Sequence, residues 1–245
     1  MMIEARGISF SYGDLEILRS ISFTVRPGEF VSILGPSGCG KSTLLMILAG
    51  LLTPDQGQVF LQNRDCTSRP GELSFMHQKD LLLPWKNLME NLMVPLVLKK
   101  IPYDTARAEV VSFLPRFGLE GFEAFFPHQL SGGMRQRAAL LRTFLYCRDI
   151  LLLDEPFGAL DAITRMKLQK WLLGFSEEVK STVILVTHNL DEAVMLSDRI
   201  LVLSKLPGHI AREIPVTLSH PRSQNVLISG ELSLIKSEIA ECLDL

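Results

Sequence analysis

No stretch of this 245-residue chain stays apolar for the roughly 20 residues that a membrane-spanning helix requires. Work at a membrane therefore calls for other chains to cross it. The opening residues, Met-Met-Ile-Glu-Ala-Arg, hold no apolar signal region, so secretion is not expected. Charge is nearly balanced, 25 basic against 27 acidic residues for a formal −2. That balance lacks the basic field most nucleic-acid binders carry, and no nucleic-acid partner is expected. The four cysteines, Cys39, Cys66, Cys147 and Cys242, have no CxxC spacing. They indicate neither a metal site nor a disulfide framework, and fit a reducing compartment. What the chain does have is core: 47% hydrophobic and 21% charged residues suit one large α/β domain, or such a domain with a smaller lobe.

Short β-branched and aromatic runs at Ile8–Phe10, Ile21–Val25 and Phe30–Leu34, parted by Gly and Pro, read as strands. Ser42–Leu52 has helical character and is closed by Gly50 and Pro54, after which Val59–Leu61 returns to strand. From residue 84 to about 146 helical periodicity takes over, at Trp85–Leu98, Asp104–Phe117 and Met134–Tyr146. Alternation then resumes, with strands at Ile150–Leu153, Val183–Val186 and Ile200–Leu203 and helices at Ala162–Lys180 and Leu190–Ser197. Such alternation predicts parallel strands joined by helical crossovers. One more helix is expected between Pro221 and Leu245.

Gly35-Pro36-Ser37-Gly38-Cys39-Gly40-Lys41-Ser42, with Thr43 next, fits GxxxxGK[ST] between a strand and a helix, the context of a phosphate-binding loop. Glycines let several backbone N–H groups face one anion, and the helix N-terminus adds positive dipole. Lys41 would reach the β- and γ-phosphates and the Ser42 hydroxyl would bind Mg²⁺. Cys39 reads as a small tolerated side chain rather than a redox group. The apolar run Ile150–Leu153 ends in Asp154 and Glu155, beyond a strand end where open α/β sheets bind ligands. Asp154 suits Mg²⁺ or a helix cap. Glu155 is placed as general base for an attacking water. His188 follows the strand Val183–Val186 on the same edge, either as a structural histidine or as a partner of the γ-phosphate.

Leu130-Ser131-Gly132-Gly133-Met134-Arg135-Gln136-Arg137 resembles the signature motif of ABC transporter ATPase subunits, a likeness that covers most of residues 1–215. Read without it, Ser131 is a helix cap followed by glycines, itself an anion-seeking start. The resemblance implies an α/β fold: a P-loop NTPase core with a mostly parallel sheet and an antiparallel β subdomain (1–83 and 148–215), an inserted helical subdomain (84–147), and a C-terminal extension (216–245). It implies that Tyr12 stacks on adenine and that Gln78 touches Mg²⁺ or the lytic water. By the same likeness, Asp161 crosses to a second copy or a paralogous subunit. It implies ATP and Mg²⁺ as ligands, with each ATP sandwiched head to tail between the glycine loop of one copy and Ser131, Gly132 and Gly133 of the other. Leu83-Pro84-Trp85-Lys86-Asn87, Phe157–Asp161 and Pro207–Ile210 resemble importer subunits for nitrate, sulfonate, taurine or pyrimidine precursors. This implies permease subunits, a separate solute-binding protein, and a cytoplasmic place on the inner face of the cell membrane. An ABC exporter ATPase or a soluble ABC ATPase is the alternative. Met89 and Met93 are expected in the core, with Trp85 filling core at the helix start.

Overall fold

In the computed structural model the described residues are 2–218 together with Ser237 and Ile239. β3 (Phe30–Leu34), β7 (Ile150–Asp154) and β8 (Thr182–Val186) are buried at every position. Unbroken apolar runs form strands of this kind where both faces of a parallel sheet are covered. They lie in a six-stranded sheet that also takes in β6 (Ser74–Met76), β9 (Arg199–Leu203) and β10 (Ile210–Pro215), in the order β10-β9-β3-β8-β7-β6. All neighbours are parallel except β10, which runs antiparallel along the edge. A second, antiparallel sheet has the order β2-β1-β4-β5, from β1 (Ile3–Tyr12), β2 (Leu15–Val25), β4 (Gln56–Leu61) and β5 (Arg64–Asp65). The architecture is the expected α/β fold: a mostly parallel sheet, an antiparallel β layer and a helical lobe.

Side-chain alternation sorts the core. Ile150 and Leu152 of β7 point to one side, with Ile184 and Val186 of β8, Leu44 and Leu45 of α1 (Lys41–Leu48) and the antiparallel sheet. Leu151 and Leu153 point to the other, where they meet α2 (Leu88–Leu98), α3 (Tyr103–Phe117), α4 (Gly132–Tyr146) and α5 (Ala162–Val179). The period of two along each strand thus welds the helical lobe and the β layer to opposite faces of one sheet. α6 (Leu190–Leu196) covers a third cluster around Ile200, Val202 and Ile239.

Several boundaries differ from expectation. α1 stops at Leu48 instead of continuing to Leu52, because Gly50 turns into the left-handed region at φ +71°. α2 starts at Leu88, where Asn87 and Glu90 form a reciprocal capping box, and not at Trp85. Trp85 is 71% exposed and fills no core. Buried Asn91 explains this, since its amide donates to the carbonyls of Leu83 (3.1 Å) and Lys86 (2.9 Å) and holds the preceding loop in an outward turn. Met89 and Met93 are buried as expected. The helix expected over 221–245 lies outside the described residues except at Ser237 and Ile239, both helical.

Candidate functional site

Four parallel strands, β3, β6, β7 and β8, end on one edge of the sheet, and the loops that follow them build the site. β3 passes into α1 through residues 35–40. Here glycine is a steric requirement: a Cβ on Gly40 (φ +100°) would lie 2.7 Å from Leu18 Cδ2, and one on Gly35 would lie 2.9 Å from the Leu203 carbonyl oxygen. Gly40 is also the N-cap of α1, so no side chain caps that helix, and no acidic residue sits in its first turn. The amides of such a start seek an anion. Lys41 is buried, and its Nζ donates to the carbonyls of Gly35 (2.9 Å) and Pro36 (2.7 Å). Cys39 is buried beneath the loop, and burial pushes its thiol pKa up, partly offset by the Lys41 charge. A ligand at this loop meets the backbone of residue 39, not a reactive thiolate.

β7 delivers the carboxylates. Asp154 is 1% exposed, and among the described residues neither of its oxygens has a hydrogen-bond partner. Burial raises its pKa above the ordinary 3.8. The Ser42 hydroxyl lies near enough to draw it part of the way back, although no formed hydrogen bond closes between them. Glu155 adds to the rise, while His77 and Lys41 oppose it. Burying a carboxylate in this way is costly unless a cation or a proton settles on it.

Glu155 adopts φ +47°, which for a residue with a Cβ costs about 1–2 kcal/mol. The turn is held by Glu155 N–H to the Val186 carbonyl (3.0 Å) and by the Gln136 amide to the Glu155 carbonyl (3.1 Å). It aims the carboxylate across the sheet edge. Gln78, after β6, donates through Nε2 to Oε2 at 2.9 Å, and His188 Nδ1, after β8, lies 3.0 Å from Oε1. Three loops thus converge on one carboxylate. Beside it opens a cleft of about 350 Å³, bounded by Tyr12, Ser37, Gly38, Lys41, Ser42 and Thr43 together with Gln78 and Glu155. Tyr12 is half exposed at its mouth, edge-on to Phe10 with ring centroids 4.8 Å apart.

The remaining candidates are not brought together with these. Ser131, Gly132, Gly133 and Asp161 do not line the cleft. Ser131 caps α4, its Oγ accepting from Met134 N–H (3.2 Å), and Asp161 caps α5, accepting from Thr164 N–H (3.0 Å). The Thr164 contacts hold the Asp161 carboxyl below its usual range. Ser131 and Asp161 are exposed. Sequence reasoning placed Gln136 in the signature motif but gave it no role, although it braces Glu155, and it passed over Ile17, which lines the cleft. It also passed over Glu192, which accepts from the Thr187 hydroxyl beside His188 at 2.7 Å. A buried polar position inside the helical pattern of α4 was the one available signal for Gln136.

A glycine-turned strand-to-helix loop with a buried lysine, and a carboxylate pair at the end of a strand two places away in the sheet, define a P-loop nucleoside triphosphatase. The family follows from three likenesses. Residues 18–158 match the family model for ABC transporters. The chain is 43% identical over 213 residues to the aliphatic sulfonates import ATP-binding protein SsuB of Bacillus cereus (87% of this chain, 84% of that protein). It is 42% identical over 210 residues to the formylaminopyrimidine import ATP-binding protein ThiZ of Halalkalibacterium halodurans (85% and 82%). It is also similar to a solved dimeric structure of an ATP-binding cassette, MJ0796, in a post-hydrolysis state bound to ADP and Pi: TM-score 0.81, 31% identity, covering 89% of this chain and all of that one. This chain belongs to the ABC transporter family and is an ATP-binding, ATP-hydrolysing cassette.

Proposed function

We propose that this chain drives an importer of a small solute of the nitrate, sulfonate, taurine or pyrimidine-precursor type; its named relatives include importer ATPases for aliphatic sulfonates and formylaminopyrimidine. The observation that carries the mechanism is the meeting of Gln78 and His188 on Glu155 beside the glycine loop. In this reading the backbone of residues 35–43 and the Lys41 ammonium hold the β- and γ-phosphates, and Tyr12 stacks on the adenine. Glu155 takes a proton from the water that attacks the γ-phosphorus. The bond to the bridging oxygen breaks, and ADP and phosphate leave. His188 and Gln78 fix the direction of the Glu155 carboxylate, and His188 also meets the γ-phosphate.

The residues suit Mg²⁺. The two buried, unpartnered oxygens of Asp154 beside the Ser42 hydroxyl are hard donors facing the phosphate loop. Ser42 and Asp154, with Gln78, would hold the ion, which when bound neutralises phosphate charge.

Two copies complete the site. Ser131, Gly132, Gly133 and Asp161 are exposed or half-buried and lie outside the cleft of their own chain, so they are free to close over the triphosphate of a second copy. ATP then favours the closed pair and ADP the open one. Residues 1–83 and 148–215 form the nucleotide-binding core in this scheme, 84–147 the helical lobe and 216–245 an extension. An apolar groove of about 330 Å³, bordered by Leu51, Leu73, Phe75, Val94, Leu98 and Tyr146, suits a permease segment on the cytoplasmic side of the membrane. Arg135 pairs with Asp80 at 3.0 Å, and Arg142 donates to the carbonyls of Asp80 and Leu81, so force at that groove reaches both Gln78 and the Ser131 helix. The permease works with a separate solute-binding protein. None of the helices among the described residues is long and apolar enough to cross a membrane. Glu155→Gln is the test: ATP still binds, turnover falls by about a thousandfold, and an ATP-dependent dimer accumulates in size-exclusion chromatography. Wild-type turnover would remove Glu155 from the base role.

A further inference from the structure

We propose that Arg165 and Glu192 form a positioning pair that ties the orientation of His188 to the turn at Leu160–Asp161. Thr187 is buried, and both functions of its hydroxyl are taken. It donates to Glu192 Oε2 (2.7 Å) and accepts from Asn189 N–H (3.0 Å). His188 lies between the two bonded residues, so its backbone is closed into a short turn whose anchor is the Glu192 carboxylate. The other oxygen of that carboxylate faces α5: Oε1 is 3.8 Å from Arg165 Nε. Arg165 in turn donates through Nη2 to the Leu160 carbonyl (3.0 Å), next to the exposed Asp161 cap. One carboxylate therefore joins the turn that carries His188 to the turn that leads into α5.

Two features distinguish this arrangement from packing. Glu192 is only 7% exposed, and burial pushes its pKa up against the pull of Thr187, Arg165 and His188. Apolar sets that replace buried ion pairs are often as stable, so in this proposal the polar set contributes direction rather than cohesion. Arg165 Nε is also buried, with no hydrogen-bond partner among the described residues, and at 3.8 Å from Glu192 it stands roughly 0.6 Å beyond hydrogen-bond range. A small advance of the α5 start closes that gap and settles the orphaned N–H. Because the start of α5 moves with Leu160–Asp161, contact at that exposed turn is transmitted to Thr187 and His188. In the proposal the route is a chain of hydrogen bonds interrupted at the Arg165–Glu192 gap, which is open here and closes when the α5 start advances.

This inference rests on the ATPase reading above and is tested in the full chain by steady-state hydrolysis with calorimetry of ATP binding. Arg165→Met is expected to lower kcat about tenfold while KM and ATP affinity change less than about twofold, and Arg165→Lys to recover most of the loss. Glu192→Gln, which keeps an acceptor for Thr187 but loses the charge, lowers kcat about threefold. The double variant Arg165→Met/Thr187→Val is no slower than the slower single, because both cut one chain. Wild-type kcat in both Arg165→Met and Glu192→Gln overturns the proposal. So does a double variant whose losses multiply, or a loss that falls on ATP affinity instead of kcat. Should Arg165→Met fail to fold, Glu192→Gln and Arg165→Lys decide alone. If Glu155→Gln is inactive while these variants are normal, the coupling is wrong and the ATPase reading stands. If Glu155→Gln turns over normally, it is that reading which has failed.

Discussion

The chain contains two glycine-marked helix starts, and they are built in opposite ways. The start of α1 is uncapped, carries the buried Lys41 and forms one wall of a cleft shared with Gln78 and Glu155. The start of α4 is capped by its own Ser131, is exposed, and borders no part of that cleft. In the proposed function the first seats the phosphates of its own chain, and the second closes over those of another copy. If so, nucleotide binding and closure of a pair are separable properties of this cassette.

Variants at the two starts test that separation. The largest effect is expected from Ser131→Arg, which places a bulky side chain at the exposed start. ATP affinity of the single chain in calorimetry stays within about twofold, yet the ATP-dependent dimer of a Glu155→Gln background is lost, because only the second seat is blocked. Normal dimer formation would merge the two starts into one role. Lys41→Ala acts on the first start and weakens ATP binding itself by about 10- to 100-fold, the range of a charge-assisted contact. Unchanged affinity would break the comparison from the other side.

The smallest effect concerns stability. The pKa of Asp154 is raised in the folded chain. Below the ordinary value of 3.8 both states hold the proton and no ionisation cost remains. As pH rises past that value and through the folded one, the unfolded chain ionises more readily and the folded state loses stability. Asp154→Asn removes the cost of ionising the buried group, though not that of burying a polar one. Without nucleotide it should melt higher than wild type at pH 7, by about 2–4 °C per kcal/mol, with the gain vanishing below pH 4. Mg²⁺-dependent hydrolysis is lost in the same variant. An equal or lower melting temperature at pH 7 would show that the carboxylate is satisfied without a cation.

Legibility in the sequence followed burial. β3 was read to the residue, and β7 and β8 to within one, because strands buried on both faces write unbroken apolar runs. β10 was missed: of Ile210–Pro215 only Ile214 is buried, so an edge strand leaves almost no pattern. β6 is three residues long and was read only as the approach to Gln78. Glycine and lysine spacing disclosed the phosphate loop, since backbone geometry there demands those residues. The left-handed turn at Glu155 could not be read, because positive φ is signalled by glycine or asparagine and a glutamate points away from it. The chain Thr187–Glu192–Arg165 joins three elements, and pairing of that kind exists only after folding.

The central claim is that each triphosphate is held by Lys41 of one copy and Ser131 of another. Mixing the two separately inactive variants, Lys41→Ala and Ser131→Arg, tests it most directly. In a head-to-tail pair the mixed dimer gathers both defects in one site and leaves the other intact. Random pairing should therefore restore ATP hydrolysis to about a quarter of wild type. A mixture that stays inactive at every ratio, although mixed dimers form, would show that the two residues serve the same site within one chain and would contradict the account.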